Sequence, residues 1–364
     1  MAGLYIHIPF CRSKCFYCDF YSLPRYSEFH NRYVAALCSE WEMRRSEVPA
    51  IKTIYFGGGT PSVLSKDDLM SLSDWLPVSQ DTEEFTIEVN PEDVTCEHIQ
   101  LWKSIGVNRV SMGIQSLNNH ELKAVGRRHT ASNALDAVSL LQPEIGNISL
   151  DFIIGLPGQN VQSLQETIRH ILHVKPQHLS VYILSYEQGT RLWAMRKAGK
   201  INETSDSVIE EMYFTVCDLL ADAGYIHYEI SNFALPGFEA RHNSSYWAGV
   251  PYLGLGAAAH SFDGIIRRFN PSYIRDWLKD IEKGQNAYIM EEESIENRIN
   301  DMIMTGLRTR TGISINKIPD SHRSIFITNL RLLPEERVIV DGDNIYIPER
   351  KWLLSDDTIA RLFV

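Results

Sequence analysis

The amino-acid sequence predicts an α/β fold with parallel strands over the first 200 residues, followed by a smaller α+β module. Short β-branched runs alternate with longer helical patterns, capping residues mark several helix starts, and this alternation ends near residue 200. Six βα repeats favour parallel strands joined by right-handed crossovers. Such repeats form either an open sheet or an incomplete barrel.

The predicted strands of the first region are six short apolar runs: Leu4–Ile8, Thr53–Phe56, Phe85–Val89, Arg109–Ile114, Ile148–Ile154 and His178–Leu184. Helical patterns between them cover residues 27–46, 65–76, 95–105, 118–141 and 161–173. Ser65 and Thr95 each precede an acidic first turn, and Gly106 follows the third pattern, as helix caps commonly do.

The second region has a different rhythm. It predicts helices over 205–223, 271–284, 294–309 and Ser355–Phe363, a strand over Tyr225–Phe233, a loop or close packing over 248–264, and a hairpin over Arg337–Ile347. The hairpin turns about Asp341-Gly342-Asp343-Asn344, residue types that favour tight turns.

Composition narrows the function classes. The chain has 364 residues, of which 44% are hydrophobic, and a formal net charge of -11, so it has no global attraction for nucleic acid. The N-terminal residues lack the pattern of a signal peptide, and no apolar run approaches the roughly 18 residues of a membrane span. We therefore expect a cytoplasmic protein whose thiols stay reduced.

Three of the six cysteines fall within eight residues, as Cys11, Cys15 and Cys18 in a C-x3-C-x2-C pattern after the first strand. Three thiolates can bind three irons of one [4Fe–4S] cluster and leave the fourth iron open. A structural zinc site usually needs four ligands in two pairs, and no second pair lies nearby. The spacing favours a cluster, while zinc, or a redox C-x-x-C at Cys15 and Cys18, stays open.

Polar residues and glycines cluster where the predicted strands end. Gly57–Thr60 could be a tight turn or a place where backbone approaches a ligand closely. Glu88 lies in an otherwise apolar strand, so its carboxylate needs either a structural partner or a ligand. Because ligand sites of parallel α/β proteins lie at the carboxyl ends of strands, one shared site is expected.

The segment YIHIPFCRSKCFYCDF resembles the signature of radical S-adenosylmethionine (SAM) proteins, and more narrowly that of the oxygen-independent coproporphyrinogen III oxidase family. The resemblance implies a partial (β/α)6 TIM-like barrel over residues 1–200. A barrel extension over 201–290 and a family-specific C-terminal domain over 291–364 would follow. It also implies one [4Fe–4S] cluster whose open iron binds the amino and carboxylate groups of SAM.

The same resemblance implies a set of cofactor contacts. Those expected at the first SAM are Tyr5, Tyr17, Gly58, Gly59, Thr60 and Glu88. Gln115, Arg127 and Asp151 match positions that contact a second SAM in the oxidase. Here they serve either one cofactor or a vestigial second site, and a surface charge at Arg127 or a strand-end cap at Asp151 are the structural alternatives.

Two departures from the oxidase point to a branch of the family. The oxidase signature has a fourth cysteine where this chain has Phe20, and its long N-terminal arm is missing before the first strand. Both features, with the motif His242-Asn243-Ser244-Ser245-Tyr246-Trp247, resemble the HemW branch, whose members are described as heme chaperones. Imidazole is a common axial ligand of heme iron, so His242 is a candidate ligand, with a loop anchor as the alternative.

The branch resemblance implies that the protein binds heme and hands it to a recipient apo-hemoprotein, with respiratory hemoproteins as one candidate class. The cluster and SAM would support that step, and a homodimer is one candidate state. The alternative function is radical oxidative decarboxylation of coproporphyrinogen III. Whether the protein is an enzyme is left open by the sequence.

Overall fold

The computed structural model describes residues 2–24, 27–291 and 294–364. Its strands, in chain order, are β1 (Ala2–Ile8), β2 (Phe10–Cys11), β3 (Leu23–Pro24), β4 (Ile51–Gly58), β5 (Glu84–Val89), β6 (Arg109–Gln115), β7 (Ile148–Ile154), β8 (His178–Ile183), β9 (Ile226–Glu229), β10 (Asn232–Ala234), β11 (Tyr252–Leu255), β12 (His260–Phe262), β13 (Arg267–Phe269), β14 (Ile289–Met290), β15 (Ile313–Ser314), β16 (Ile339–Asp341) and β17 (Asn344–Tyr346).

The α-helices of the described residues, in chain order, are α1 (His30–Arg44), α2 (Lys66–Ser73), α3 (Cys96–Ser104), α4 (Asn119–Ala124), α5 (Ala131–Leu141), α6 (Val161–Val174), α7 (Arg191–Lys197), α8 (Asp206–Asp222), α9 (Arg241–Trp247), α10 (Ile274–Ile281), α11 (Ile295–Leu307), α12 (Asp320–Leu332) and α13 (Ser355–Arg361). Most predicted helices are confirmed with shorter ends, whereas α7, α9 and α12 were not predicted.

One large sheet organises the first 290 residues, in the order β14-β13-β12-β11-β1-β4-β5-β6-β7-β8-β10-β9. The strands from β11 to β8 are parallel, and antiparallel strands extend the sheet on both sides. Within the described residues the sheet keeps two separate ends, as an incomplete barrel does. All six predicted βα strands are confirmed.

The seventh parallel strand, β11, lies in the segment that the sequence assigned to a loop or close packing. It pairs with the outer edge of β1, with Leu4 opposite Leu253. A Cβ atom at Gly254 would lie 1.9 Å from the carbonyl oxygen of His260, so only glycine fits there. The glycines that obscured the strand therefore serve its close packing.

The two faces of the parallel strands differ in chemistry. On β1, Leu4, Ile6 and Ile8 join the main aliphatic core, while Tyr5 and His7 point to the other face. That other face is polar yet enclosed, as the full burial of Thr86 and Ser149 shows. The sheet thus curls around a polar interior, which opens at the carboxyl ends of the strands.

Two predicted elements are divided in the structure. The helical pattern over 118–141 breaks into α4 and α5 because Gly126 has a φ of +74°, in the left-handed region that favours glycine. The predicted strand Tyr225–Phe233 is two antiparallel strands, β9 and β10, and β10 pairs with β8. The first break matters for function because it turns Arg127 toward the strand ends.

The C-terminal residues build a second hydrophobic core, which contains buried side chains from Ile299 to Leu362. The predicted hairpin is confirmed as β16 and β17, which pair with β15 in a separate sheet. The two boundaries between the three predicted domains stay predictions, and the one at 291 adjoins residues 292–293, outside the described residues. Among the described residues, no helix has the length and apolar character needed to span a bilayer.

Candidate functional site

A cavity of about 390 Å³ opens at the carboxyl ends of the parallel strands. Nearly all of the predicted site residues line it: Cys11, Cys15, Tyr17, Cys18, Gly58, Gly59, Thr60, Glu88, Gln115, Arg127 and Asp151. Tyr5 and His242 do not. The expectation of one shared site at this end of the sheet is therefore met by the geometry.

The glycine loop supports the cysteine loop through its backbone. The amide of Gly59 donates to the carbonyl of Ile8 (2.8 Å), and that of Thr60 donates to the carbonyl of Phe10 (2.9 Å). A Cβ atom at Gly59 would lie 2.7 Å from the Phe10 carbonyl oxygen, so a side chain would push the two loops apart. Thr60 also places its hydroxyl 3.4 Å from the Sγ atom of Cys11.

The three thiols share one wall of the cavity. Burial raises the pKa of Cys11 to about 11, and burial also raises the pKa of Cys18. Thiolates at such positions need a cationic partner, which bound iron would supply. Over residues 2–24, 27–291 and 294–364, no three His, Cys, Asp or Glu side chains are grouped as ligands of one metal ion. A [4Fe–4S] cluster takes three thiolates on three separate irons, and the three cysteines that line the cavity are donors of that kind.

Glu88 reaches the cavity from the end of β5, with a donor on each carboxylate oxygen. The Tyr55 hydroxyl donates to Oε1 (2.8 Å), and the Gly58 amide donates to Oε2 (3.1 Å). Burial raises the pKa of Glu88 to about 7, while the Tyr55 hydrogen bond opposes this increase. Glu88 therefore changes its charge near neutral pH, as a ligand-binding carboxylate often does.

Arg127 and Asn90 form a bracket across the cavity wall. Arg127 donates to the Asn90 side-chain oxygen (2.7 Å) and to the Gly113 carbonyl, and its other terminal nitrogen lies 3.5 Å from the Sγ atom of Cys15. Asn90 in turn donates to the Thr60 hydroxyl (3.1 Å). Arg127 is thus no surface charge, which removes that alternative. The sequence predicts Asn90 as one of the polar residues at the strand ends of the shared site but assigns it no role.

Asp151 and Gln115 complete the wall on β7 and β6. Asp151 accepts hydrogen bonds from Ser111 (3.0 Å) and Ser149 (3.1 Å), and burial raises its pKa. Gln115 has a φ of +62° at a register shift between β6 and β7. A non-glycine residue in this left-handed conformation is strained, and such strain is concentrated at functional sites. Neither serine was predicted from the sequence.

His242 lies at the opposite end of the strands, within α9 rather than in a loop. Its Nδ1 atom is 2.8 Å from the Thr53 hydroxyl, and its Nε2 atom is 2.7 Å from the Tyr246 hydroxyl. The side chain is fully buried. In this conformation both ring nitrogens are engaged, so the heme-ligand hypothesis requires one of these two hydrogen bonds to break. Tyr5 lies between the two ends, with its hydroxyl 3.0 Å from Nδ1 of His7.

Comparison with known proteins gives this site a family context. Residues 5–171 match the family model of the Radical SAM superfamily. The chain is 34% identical to heme chaperone HemW of Lactococcus lactis, over 97% of both chains, and 34% identical to heme chaperone HemW of Bacillus subtilis, over 99% of this chain and 98% of that one.

A solved structure confirms the fold class. Coproporphyrinogen III oxidase (HemN) from Escherichia coli, described as a radical SAM enzyme, matches with a TM-score of 0.84 at 21% identity. The match covers 100% of this chain and 90% of that chain. At this identity the likeness shows the shared partial barrel and nothing about the reaction.

Proposed function

The chain belongs to the HemW family of the radical SAM superfamily, and from this premise we propose that it is a heme chaperone. It binds heme and transfers it to a recipient apo-hemoprotein, in a process that a [4Fe–4S] cluster and SAM support. The observation that carries this proposal is the 34% identity with HemW relatives over almost the whole chain, both cores included.

The cavity residues divide between the two cofactors. Cys11, Cys15 and Cys18 hold the cluster, and the Gly58–Thr60 loop with Glu88 holds the amino-acid end of SAM. When bound, the cluster supplies a one-electron donor with an open iron. The protein's own contribution is to shape the site, since the backbone bonds from the glycine loop to Ile8 and Phe10 hold the start of the cysteine loop before any cofactor arrives.

The second wall of the cavity orients the rest of SAM. Arg127 ties Asn90 and the β6 carbonyl of Gly113 into one rigid edge. Gln115, Asp151 and Tyr17 lie along this edge and take the remaining polar groups of the cofactor. The cavity of about 390 Å³ is within the usual range for one small-molecule ligand, which favours one SAM over two.

Phe20 distinguishes this chain from the oxidase signature. Its side chain is 68% exposed and lies at the rim of the cavity, beside the cysteine loop. An exposed aromatic ring at a site entrance is suited to contact with a flat apolar macrocycle. This position supports heme handling over a further thiol function.

Heme titration of the anaerobically reconstituted protein tests the proposal. We expect a saturable Soret absorbance change at one heme per chain, followed by transfer when an apo-hemoprotein is added. Phe20→Ala removes the exposed ring without touching the thiols, and this variant should bind heme more weakly than the wild type. A wild-type protein with an intact cluster that shows no stoichiometric change would contradict the proposal.

An anaerobic assay with coproporphyrinogen III separates the chaperone from the oxidase. The proposal predicts no protoporphyrinogen above the level of a heat-inactivated sample. Formation of this product at multiple turnovers would instead establish the decarboxylase. Sedimentation of the same samples, with and without SAM and heme, tests the proposed homodimer.

A further inference from the structure

Helix α9, which contains the motif His242-Asn243-Ser244-Ser245-Tyr246-Trp247, is connected to the cavity from the opposite end of the strands. We propose that His242 is a positioning residue for the SAM pocket, which acts through Tyr55 on Glu88, and that it is not the heme ligand. The inference rests on the proposed function only in taking SAM as the cavity's ligand. Its evidence is a series of contacts that runs from α9 to the strand ends.

The location of α9 separates it from the cavity opening. His242 contacts Thr53 near the start of β4, whereas the glycine loop begins at the carboxyl end of that strand. Thr53 precedes Gly58, the last residue of β4, by five residues, which is about 16 Å of extended chain at roughly 3.3 Å each. The His242 ring does not line the cavity, and the Tyr55 ring lies between it and Glu88.

The ring of His242 instead fixes Tyr55. It stacks on the Tyr55 ring with centroids 5.1 Å apart and an interplanar angle of 25°. Tyr5 stacks on Tyr55 as well, at 6.1 Å and 30°. Because Thr53 and Tyr246 hold both imidazole nitrogens, the imidazole plane is set, and with it the direction of the Tyr55 hydroxyl that donates to Glu88.

The helix itself is fastened by a residue of the sheet. Glu84, at the start of β5, accepts hydrogen bonds from the backbone amides of Arg241 (2.7 Å) and His242 (3.2 Å). A carboxylate at a helix N-terminus satisfies otherwise unpaired amides and interacts favourably with the helix dipole. The His242 ring is thus oriented by its helix as well as by its two side-chain partners.

A second series of hydrogen bonds links the start of α9 to Asp151, the other carboxylate of the cavity. The Ala240 amide donates to the Tyr228 hydroxyl (3.3 Å), which lies 2.8 Å from Nε2 of His178. Nδ1 of His178 lies 2.8 Å from Ser149, whose hydroxyl donates to Asp151. In one direction each group of this series can donate a hydrogen bond to the next, and the Asp151 carboxylate is the last acceptor. Both carboxylates of the cavity therefore depend on the region of α9.

Loss of the Tyr55 hydrogen bond changes the charge state of Glu88. The ionisable groups that face Glu88 are Tyr5 on β1, Tyr55 on β4, Arg109 on β6, Asp151 on β7, Tyr182 on β8 and Tyr246 on α9. Of these, Tyr55 donates a hydrogen bond to Glu88, and the His242 ring of α9 stacks on it. Without this donor the pKa of Glu88 rises further, the carboxylate is less ionised at neutral pH, and the cationic cofactor binds more weakly.

The test measures SAM affinity of the cluster-loaded protein by calorimetry across about pH 6 to 9. Tyr55→Phe keeps the stacked ring and removes only the donor, so we expect SAM binding about tenfold weaker at pH 7. The pH midpoint of binding should move upward. Tyr225→Phe is the matched control, since its hydroxyl bonds the Pro176 carbonyl away from the cavity, and it should change neither quantity.

His242→Ala should weaken SAM binding in the same way while it keeps the heme stoichiometry of the wild type. If this variant does not fold, Thr53→Val removes one imidazole contact with little change of volume and should reproduce the upward shift of the midpoint. A Tyr55→Phe variant with an unchanged midpoint would overturn the inference. Loss of heme by His242→Ala with wild-type SAM affinity would overturn it too.

These outcomes are separable from those of the proposed function. Absence of heme binding by the wild type would end the chaperone proposal, whereas the SAM affinities of Tyr55→Phe and Tyr225→Phe would still decide the role of α9. The pH midpoint also separates positioning from general destabilisation, because a merely structural defect lowers affinity without shifting the midpoint.

Discussion

Replacement of Glu88 by glutamine should stabilise the cofactor-free protein at alkaline pH while it weakens SAM binding. The carboxylate is partly buried in a polar interior, and this burial raises its pKa from an ordinary 4.5 to about 7. A raised folded-state pKa means that the ionised group destabilises the fold. The wild-type protein therefore has its full stability below the ordinary pKa of Glu88 and loses part of it as the pH rises through 7.

The magnitude follows from the two pKa values. The difference between these pKa values corresponds to a loss of stability of about 3 kcal/mol at pH 8 and about 1 kcal/mol at pH 5. The value at pH 8 is an upper limit because water in the cavity screens the charge. Glutamine keeps an acceptor for Tyr55 but faces the Gly58 amide with its own NH2 group, which costs about 1 kcal/mol at either pH. Glu88→Gln should therefore raise the free energy of unfolding by about 1–2 kcal/mol at pH 8 and by almost nothing at pH 5.

Chemical denaturation of metal-free protein at both pH values, followed by tryptophan fluorescence, measures this difference. Glu166→Gln is the control, because that residue is exposed on α6 and should have a small effect at either pH. A Glu88→Gln effect that is equal at pH 5 and pH 8 would refute the reasoning, since it would mean that Glu88 titrates normally. Calorimetry on the reconstituted variant should show SAM binding at least tenfold weaker.

Three further predictions concern groups around the cavity and in the core. Arg127→Met should weaken SAM binding more than tenfold, and Arg127→Lys should recover only part of it, because lysine lacks the second terminal nitrogen, which lies beside the Sγ atom of Cys15; calorimetry decides this. Glu40→Gln should lower the free energy of unfolding by about 2 kcal/mol without changing iron content, because it removes one of the two carboxylates, Glu40 and Glu47, that neutralise the buried Arg44; retained stability would contradict this. Gly126→Ala should cost about 2 kcal/mol in denaturation, since its Cβ atom would meet the Phe16 ring at 2.5 Å in a left-handed backbone.

The main features of the fold and of the cavity were accessible from the sequence. Strand periodicity located all six βα strands, because their short apolar runs alternate with helices whose starts have clear caps. Parallel geometry then brings the strand ends together, so residues as distant in sequence as Glu88 and Asp151 could be assigned to one site. The residues that the resemblance added, such as Arg127, line the same cavity.

The features that the sequence did not reveal depend on contacts between distant segments. Helix α9 contains asparagine and two serines, which are poor helix formers, and its start is stabilised by Glu84 from another part of the chain. Strand β11 was obscured by glycines whose purpose is visible only beside His260. The hydrogen bond at Nδ1 of His242 likewise depends on Thr53, which no local pattern connects to the motif.

The most direct test of the account is the iron and sulfide content of the anaerobically reconstituted protein, with electron paramagnetic resonance spectra of the reduced state before and after SAM. The account predicts four irons and four sulfides per chain, to within about half an atom, and a spectrum that SAM changes. Serine at Cys11, Cys15 and Cys18 together should abolish both, whereas Cys96→Ser, at an exposed thiol on α3, should abolish neither. Zinc in place of iron, or iron that survives the triple replacement, would contradict it.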